Sequence, residues 1–242
     1  MNHGETSFES EMDSDIMSAK PTKVFCIGFM KTGTTTMNSA LTILGYRVSH
    51  RSWRLLPAIM KGDWNSVANH AEAWDALEDN PIPLIYKELD QLFPNSKFIL
   101  TKRDPEKWYQ SVSYHIGRLR SPMHEWVFGK GKGLPIEDKG HTIEVFNQHT
   151  ESVLTYFKER PQDLLILDVT TDSNWKTICD FLGVSTPSVP FPHSNRSKFE
   201  QSKISRPKQK FKFIKKQVFN PMKIGFYSLM GYLPTPETRI KS

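Results

Sequence analysis

The stretch KVFCIGFMKTGTTTMNSALTILG, Lys23 to Gly45, decides the fold. Val24 to Phe29 is a short apolar run that reads as a buried strand, and Gly28 opens a turn into a helical segment over Thr34 to Leu44. Within it, GFMKTGTTT from Gly28 to Thr36 sets one glycine, four residues and then Gly33 ahead of hydroxyl residues that open a helix. That is the spacing of a phosphate-binding loop. Backbone amides converge in such a turn and the positive end of the helix dipole adds to them, so a phosphate is held with few charged side chains. A nucleotide triphosphatase places lysine directly after the second glycine, to reach the terminal phosphates. Thr34 stands there instead, and the nearby lysine, Lys31, lies on the other side of Gly33. The loop therefore suits a donor other than a nucleoside triphosphate.

Working outward, Lys97 to Lys102 predicts a second strand, and Arg103, Asp104 and Pro105 give a strand end, a helix cap and a proline at the first helical position, with a helix running to about Leu119. Trp108, Val112, Ile116 and Leu119 recur along it at helical spacing, as do Ile143, Phe146, Val153, Leu154 and Phe157 in a later segment. Leu164 to Asp168 reads as a third strand, followed by a helix from about Asn174 to Leu182 with Gly183 as its C-terminal cap. Strands alternating with helices predict an α/β domain: a three-layer fold like that of the P-loop NTPases, with a central, mostly parallel sheet flanked by helices. Met123 to Gly140, which contains GKGKGLP, lacks a clean period and reads as a loop over the site.

The chain has 242 residues, 38% of them hydrophobic and 24% charged, enough for one sizeable core. Residues 1–20 read as a polar, acidic lead, 21–200 as the domain and 201–242 as a basic, partly apolar extension. Nothing in the lead resembles a signal peptide or a membrane span, which points to a soluble protein of the cytoplasm. Cys26 and Cys179 sit in apolar runs without metal-ligand spacing and read as buried thiols. A net charge of +6 favours an anionic partner but does not choose among phosphorylated ligands, membranes and nucleic acid. The segment from Val218 to Leu233 is apolar and aromatic but too interrupted to span a bilayer. It is expected to pack on the domain, with peripheral membrane contact as the other reading.

These motifs together resemble the sulfotransferases that use 3'-phosphoadenosine-5'-phosphosulfate (PAPS), in which a KTGTT loop after the first strand holds the 5'-phosphosulfate. That family also uses an arginine at a strand end and a serine on the next helix for the 3'-phosphate, and FILTKRDPEKWYQS supplies Arg103 and Ser111. WKTICDFLGVSTPSVPFPHSN, Trp175 to Asn195, is similar to the segment after the last central strand in a small-acceptor branch of the family. The resemblance spans Lys23 to Asn195. It lacks the C-terminal arginine-lysine-glycine signature of the drug-conjugating enzymes, which leaves the 3'-phosphate either with fewer contacts or with Arg196 or Lys198 in place of that signature.

The resemblance implies a sulfuryl transferase with PAPS as donor co-substrate, a small-molecule acceptor, no metal and no nucleic-acid partner. Lys31, Thr32, Gly33, Thr34, Thr35, Thr36, Arg103 and Ser111 would bind the donor, with Lys31 on the departing oxygen. Asp75, in AEAWDALEDNP, is the first choice for the base, with Asp79 and Glu88 in the same region and His50 and His115 in reserve. Trp53, Trp64 and Trp74 are candidates to line an apolar acceptor pocket. Two rivals remain at this level: a P-loop kinase or NTPase with Asp168 on magnesium, and a non-catalytic binding module whose basic tail recruits it to membranes or nucleic acid. The sequence sets no oligomeric state.

Overall fold

The computed structural model describes residues 23–49, 51–169, 171, 174–192 and 219–241. The strands are β1 (Val24–Cys26), β2 (Val48–Ser49), β3 (Ala76–Leu77), β4 (Lys97–Thr101) and β5 (Leu164–Leu167). They form one sheet in the order β2-β3-β1-β4-β5, and every pairing is parallel. The loop-bearing strand, β1, is therefore central.

Successive residues of a strand face opposite sides of a sheet, and in β1 both sides are apolar. Phe25 and Ile27 join Leu77, Phe98, Leu100, Trp108, Phe146 and Phe157 on one face. Val24 and Cys26 join Ile99, Leu167, Met37, Leu41 and Ile178 on the other. Helices α1 (Thr34–Ile43) and α8 (Trp175–Leu182) cover the second face. The first is covered by α2 (Leu56–Met60), α3 (Trp64–Glu72), α4 (Tyr86–Leu92), α5 (Pro105–His115), α6 (Pro122–Phe128) and α7 (Lys139–Tyr156). The three layers read from the sequence are those observed.

Local signals explain most boundaries. Asp104 caps α5 by accepting from Lys107 N, with Pro105 in the first turn. Asn174 does the same for α8, which ends on Gly183 in the left-handed region at φ 67°. β1 stops at Cys26, short of the expected Phe29. Ile27 still donates to the Ile99 carbonyl at 2.8 Å, but from Gly28 the chain leaves the sheet. Helix α5 stops at His115 rather than Leu119, because Ile116 and Gly117 both donate to the Val112 carbonyl and close the last turn. Cys26 and Cys179 are free and buried, as expected.

The segment expected to be a loop, Met123 to Gly140, is largely structured. Ser121 caps α6 by accepting from His124 N, with Pro122 at the first helical position, and Pro135–Glu137 forms a 3-10 turn. Glu125 is 1% exposed. Its carboxylate accepts from the Gly131 and Gly133 amides and pairs with Arg120 Nε at 2.9 Å. The glycines thus wrap a buried carboxylate. The serine-proline cap was the overlooked signal.

At the C-terminal end, α9 (219–229) and α10 (Pro236–Lys241) dock on the domain. Ile224 and Tyr227 pack on the main core, and Lys130 N donates to the Pro234 carbonyl at 2.7 Å. Arg239 Nε donates to the Trp126 carbonyl at 2.8 Å, with its guanidinium 4.4 Å from the centre of the indole ring. Among the described residues, no helix is long and apolar enough to cross a membrane. The 1–20 lead lies outside the described residues.

Phe157 is 1% exposed and its ring centre lies 4.8 Å from that of Phe98, beneath the middle of the sheet. Phe157→Ala is expected to destabilise the fold by about 3–5 kcal/mol, lowering the urea midpoint without changing the slope of the transition.

Candidate active site

The turn after β1 is held by its carbonyl groups. Thr32 Oγ1 donates to the Phe29 carbonyl at 2.6 Å. Trp108 Nε1 donates to Met30 O at 2.8 Å and Arg103 Nη1 to Lys31 O at 3.0 Å. His149 Nε2 lies 2.7 Å from Ile27 O; a carbonyl only accepts, so this nitrogen carries the proton. With its carbonyls engaged on the protein side, the loop is left with amides to offer. Lys31, Gly33, Thr34 and Thr35 donate to no backbone carbonyl among the described residues. They crown the N-terminus of α1, where the helix dipole is positive.

Two backbone features make this possible. A Cβ on Gly28 would stand 2.6 Å from the Thr101 carbonyl oxygen, so only glycine lets the loop leave so close to β4. Gly33 holds φ 113°, and a side chain there would strike Val169. Lys31 also lies in the left-handed region, at φ 70°. That costs a non-glycine residue on the order of 1 kcal/mol and persists only where neighbours fix it. The Arg103 bond to its carbonyl is such a restraint.

The structure brings most of the expected donor-binding residues to one place. Lys31, Gly33 and Thr34 are half-buried and Thr35 is exposed. Arg103 enters from the end of β4, and its Nε is buried without a partner. Ser111, 8% exposed, follows on α5. One turn further, His115 feels both cations: burial first, then the charges of Lys31 and Arg103, hold its imidazole below the ordinary range. Thr32 and Thr36 are buried, and the Thr32 hydroxyl is committed to Phe29 O and to Thr101 Oγ1 at 2.5 Å. Burial, then Arg103, lowers the Lys31 ammonium, and Asp79 pulls it back up.

The carboxylates divide. Asp75 sits at the N-terminal edge of β3, where its backbone carbonyl accepts from Val24 N. Its side chain is taken by Arg47 through Nε and Nη2, each at 2.9 Å, and that hydrogen bonding holds its carboxyl low. The loop is at the other end of the sheet, so Asp75 is not brought to it. Asp79, two residues past β3, is beside Lys31: burial raises its carboxyl, while the Asn80 amide and the Lys31 charge oppose the rise. Glu78, which the sequence reading passed over, accepts from Asn38 Nδ2 at 3.1 Å and from the Thr34 hydroxyl. Its Oε2 is buried without a partner. Burial, then the Asp79 charge, pushes Glu78 up to about 7. Its signal was the acidic pair immediately following a strand. Glu88 lies near Arg239 instead. His50, Arg196 and Lys198 lie outside the described residues. Among the described residues, no group of three or more His, Cys, Asp or Glu is placed to hold a metal.

A groove of about 940 Å³ opens between the exit of β2, the start of α6 and helix α9, walled by Trp53, Leu56, Pro57, Met123, Phe219 and Tyr227. Of the expected tryptophans, Trp53 lines it, whereas Trp64 and Trp74 pack on the core.

Residues 23–199 match the family model described as sulfotransferase domain, and the chain belongs to that family. A curated relative, the Ava biosynthesis cluster protein M of Aspergillus versicolor, is 24% identical over 214 residues, covering 71% of this chain and 80% of the relative. The loop thus belongs to a protein of the sulfotransferase type.

His149 gives a pH test of the loop's support. It is buried, stacked on Phe29 with ring centres 4.3 Å apart, and burial pushes it down from 6.5 to about 4. The unfolded chain therefore binds the proton first. The stability gained by keeping the imidazole neutral is complete above about pH 6.5 and is lost as pH falls toward 4, by on the order of 3 kcal/mol. Urea melts between pH 7.5 and 4.5 should show this loss in the wild type and a flatter profile in His149→Gln.

Proposed function

We propose that the protein transfers the sulfuryl group of PAPS to a hydroxyl or amine of a small-molecule acceptor. The carrying observation is the loop itself: amides and Lys31 are presented to an anion, Thr34 stands where a triphosphate enzyme has lysine, and Arg103 is anchored at its rim. The 5'-phosphosulfate fits the amides of Gly33, Thr34 and Thr35, and the 3'-phosphate fits the remaining donors of Arg103 with Ser111. Thr32 and Thr36 support the loop from within. The kinase reading loses its footing at Thr34, since Asp168 alone does not supply the missing lysine.

In this scheme the acceptor oxygen or nitrogen attacks sulfur in line. A new bond to sulfur forms, the sulfur–oxygen bond to the phosphate breaks, and Lys31 stabilises the charge left on the bridging oxygen. The acceptor's proton passes to Asp79, which stands beside Lys31 with its carboxyl raised by burial. Glu78 keeps a second negative charge close by, so the pair titrates as a unit above the ordinary carboxylate range. The Trp53 groove suits an acceptor with an apolar, flat body. Two buried free thiols suit a reducing compartment such as the cytoplasm.

Adenosine 3',5'-bisphosphate at ~100 times its dissociation constant should stabilise the protein by ~2.7 kcal/mol, or several degrees in a thermal melt. Arg103→Ala should lose the shift, and ADP should give less. A shift with magnesium ATP alone would contradict the reading. Asp79→Asn should bind the bisphosphate like wild type yet lower kcat ~10²- to 10⁴-fold with acceptors found in a panel of hydroxylated aromatics. Wild-type kcat should fall as pH drops through the range of the acidic pair, and Glu78→Gln should move that limb to lower pH.

A further inference from the structure

Helix α9 has two apolar sides. One packs on the core through Ile224 and Tyr227. The other is open: Phe219 is 50% exposed, Met222 70%, Phe226 55% and Leu229 86%. Their spacing of three, four and three residues places them in one stripe along the helix. Met230, at 49%, extends it. A row of large apolar side chains left in water on a folded domain marks a surface that another phase or molecule covers.

The charge of the adjoining sequence says which. From 201 to 236 the sequence carries eight basic residues, Lys203 through Lys223, and no aspartate or glutamate. A second copy of the chain would bring the same positive charge to the contact and be repelled. A nucleic acid would satisfy the charge and leave the stripe wet. An anionic bilayer satisfies both, because headgroups attract the basic residues while the boundary of the acyl chains accepts the apolar ones. The described residues contain no spanning helix, so the contact is with the surface of the bilayer.

We propose that α9 docks the protein on an anionic lipid surface, lying in the interface with the Met222, Phe226 and Leu229 stripe turned into the lipid and Phe219 left at its edge, on the groove. This goes beyond the transfer reaction and does not depend on it.

The full-length chain is sedimented with vesicles of phosphatidylcholine containing about 30% phosphatidylserine, and with phosphatidylcholine alone. Wild type should pellet with the anionic vesicles, bind the neutral ones at least ~10-fold more weakly, and be released by salt. The variant Met222→Ser, Phe226→Ser, Leu229→Ser should bind anionic vesicles ~10- to 100-fold more weakly while keeping the wild-type thermal transition, since these side chains are exposed. Wild type remaining in the supernatant would overturn the proposal. So would undiminished binding by the variant, which would leave charge alone as the cause. A wild-type dimer that the substitutions convert to monomer, without lipid binding, would make the stripe a self-association face and likewise overturn it.

Discussion

The direction of the Ile27, Phe29, Met30 and Lys31 carbonyl groups governs what this loop presents to the cleft. Had they faced the cleft, the same loop would repel an anion. They are turned inward by three donors from distant parts of the chain, the Trp108 indole from α5, the Arg103 guanidinium just past β4 and the His149 imidazole from α7, and by the Thr32 hydroxyl of the loop itself. Each donor has its own support. Trp108 stacks on Phe146 with ring centres 4.2 Å apart, and His149 is clamped against Phe29. The aromatic core is therefore the scaffold of the loop, and its close packing fixes the backbone geometry there.

Around that cradle the charges are arranged in opposition. Arg103 lowers the Lys31 ammonium and both cations lower the His115 imidazole, while Glu78 and Asp79 crowd a second negative site at the end of the adjacent strand. A cation and a carboxylate with raised proton affinity thus face each other at the C-terminal edge of a parallel sheet, the place where such folds bind ligands. The strand order makes them neighbours, because β3 lies directly beside β1.

The fold was legible where the signal was local. The strand-loop-helix stretch, the Asp104-Pro105 cap and the Asn174 and Gly183 ends of α8 each carry their structure in a few residues. Arg103 and Ser111 were singled out through a motif, and the structure puts them at the end of β4 and on α5. What was not legible needed the third dimension. Asp75 and Asp79 are four residues apart, yet two-residue β3 runs between them and carries them to opposite edges of the sheet. No periodicity could tell which edge held the loop. Glu78 was passed over because its distinction is its burial. Met123 to Gly140 was misread because its order comes from a single buried carboxylate, Glu125, that a glycine-rich string does not advertise. The apolar residues of α9 were visible as composition, but only the docked helix separates those that face the core from those that face outward.

The central claim is that side chains behind the loop create the anion site, and Trp108→Phe tests it most directly, because it removes the indole N–H and keeps an aromatic ring in the core. Calorimetric titration with adenosine 3',5'-bisphosphate is the measurement. The account predicts binding by the wild type in the absence of magnesium, weakened ~10-fold in the variant, the cost of one lost hydrogen bond of about 1.4 kcal/mol. Equal affinity in a variant that retains its fold, or no binding of the bisphosphate by the wild type, would contradict it.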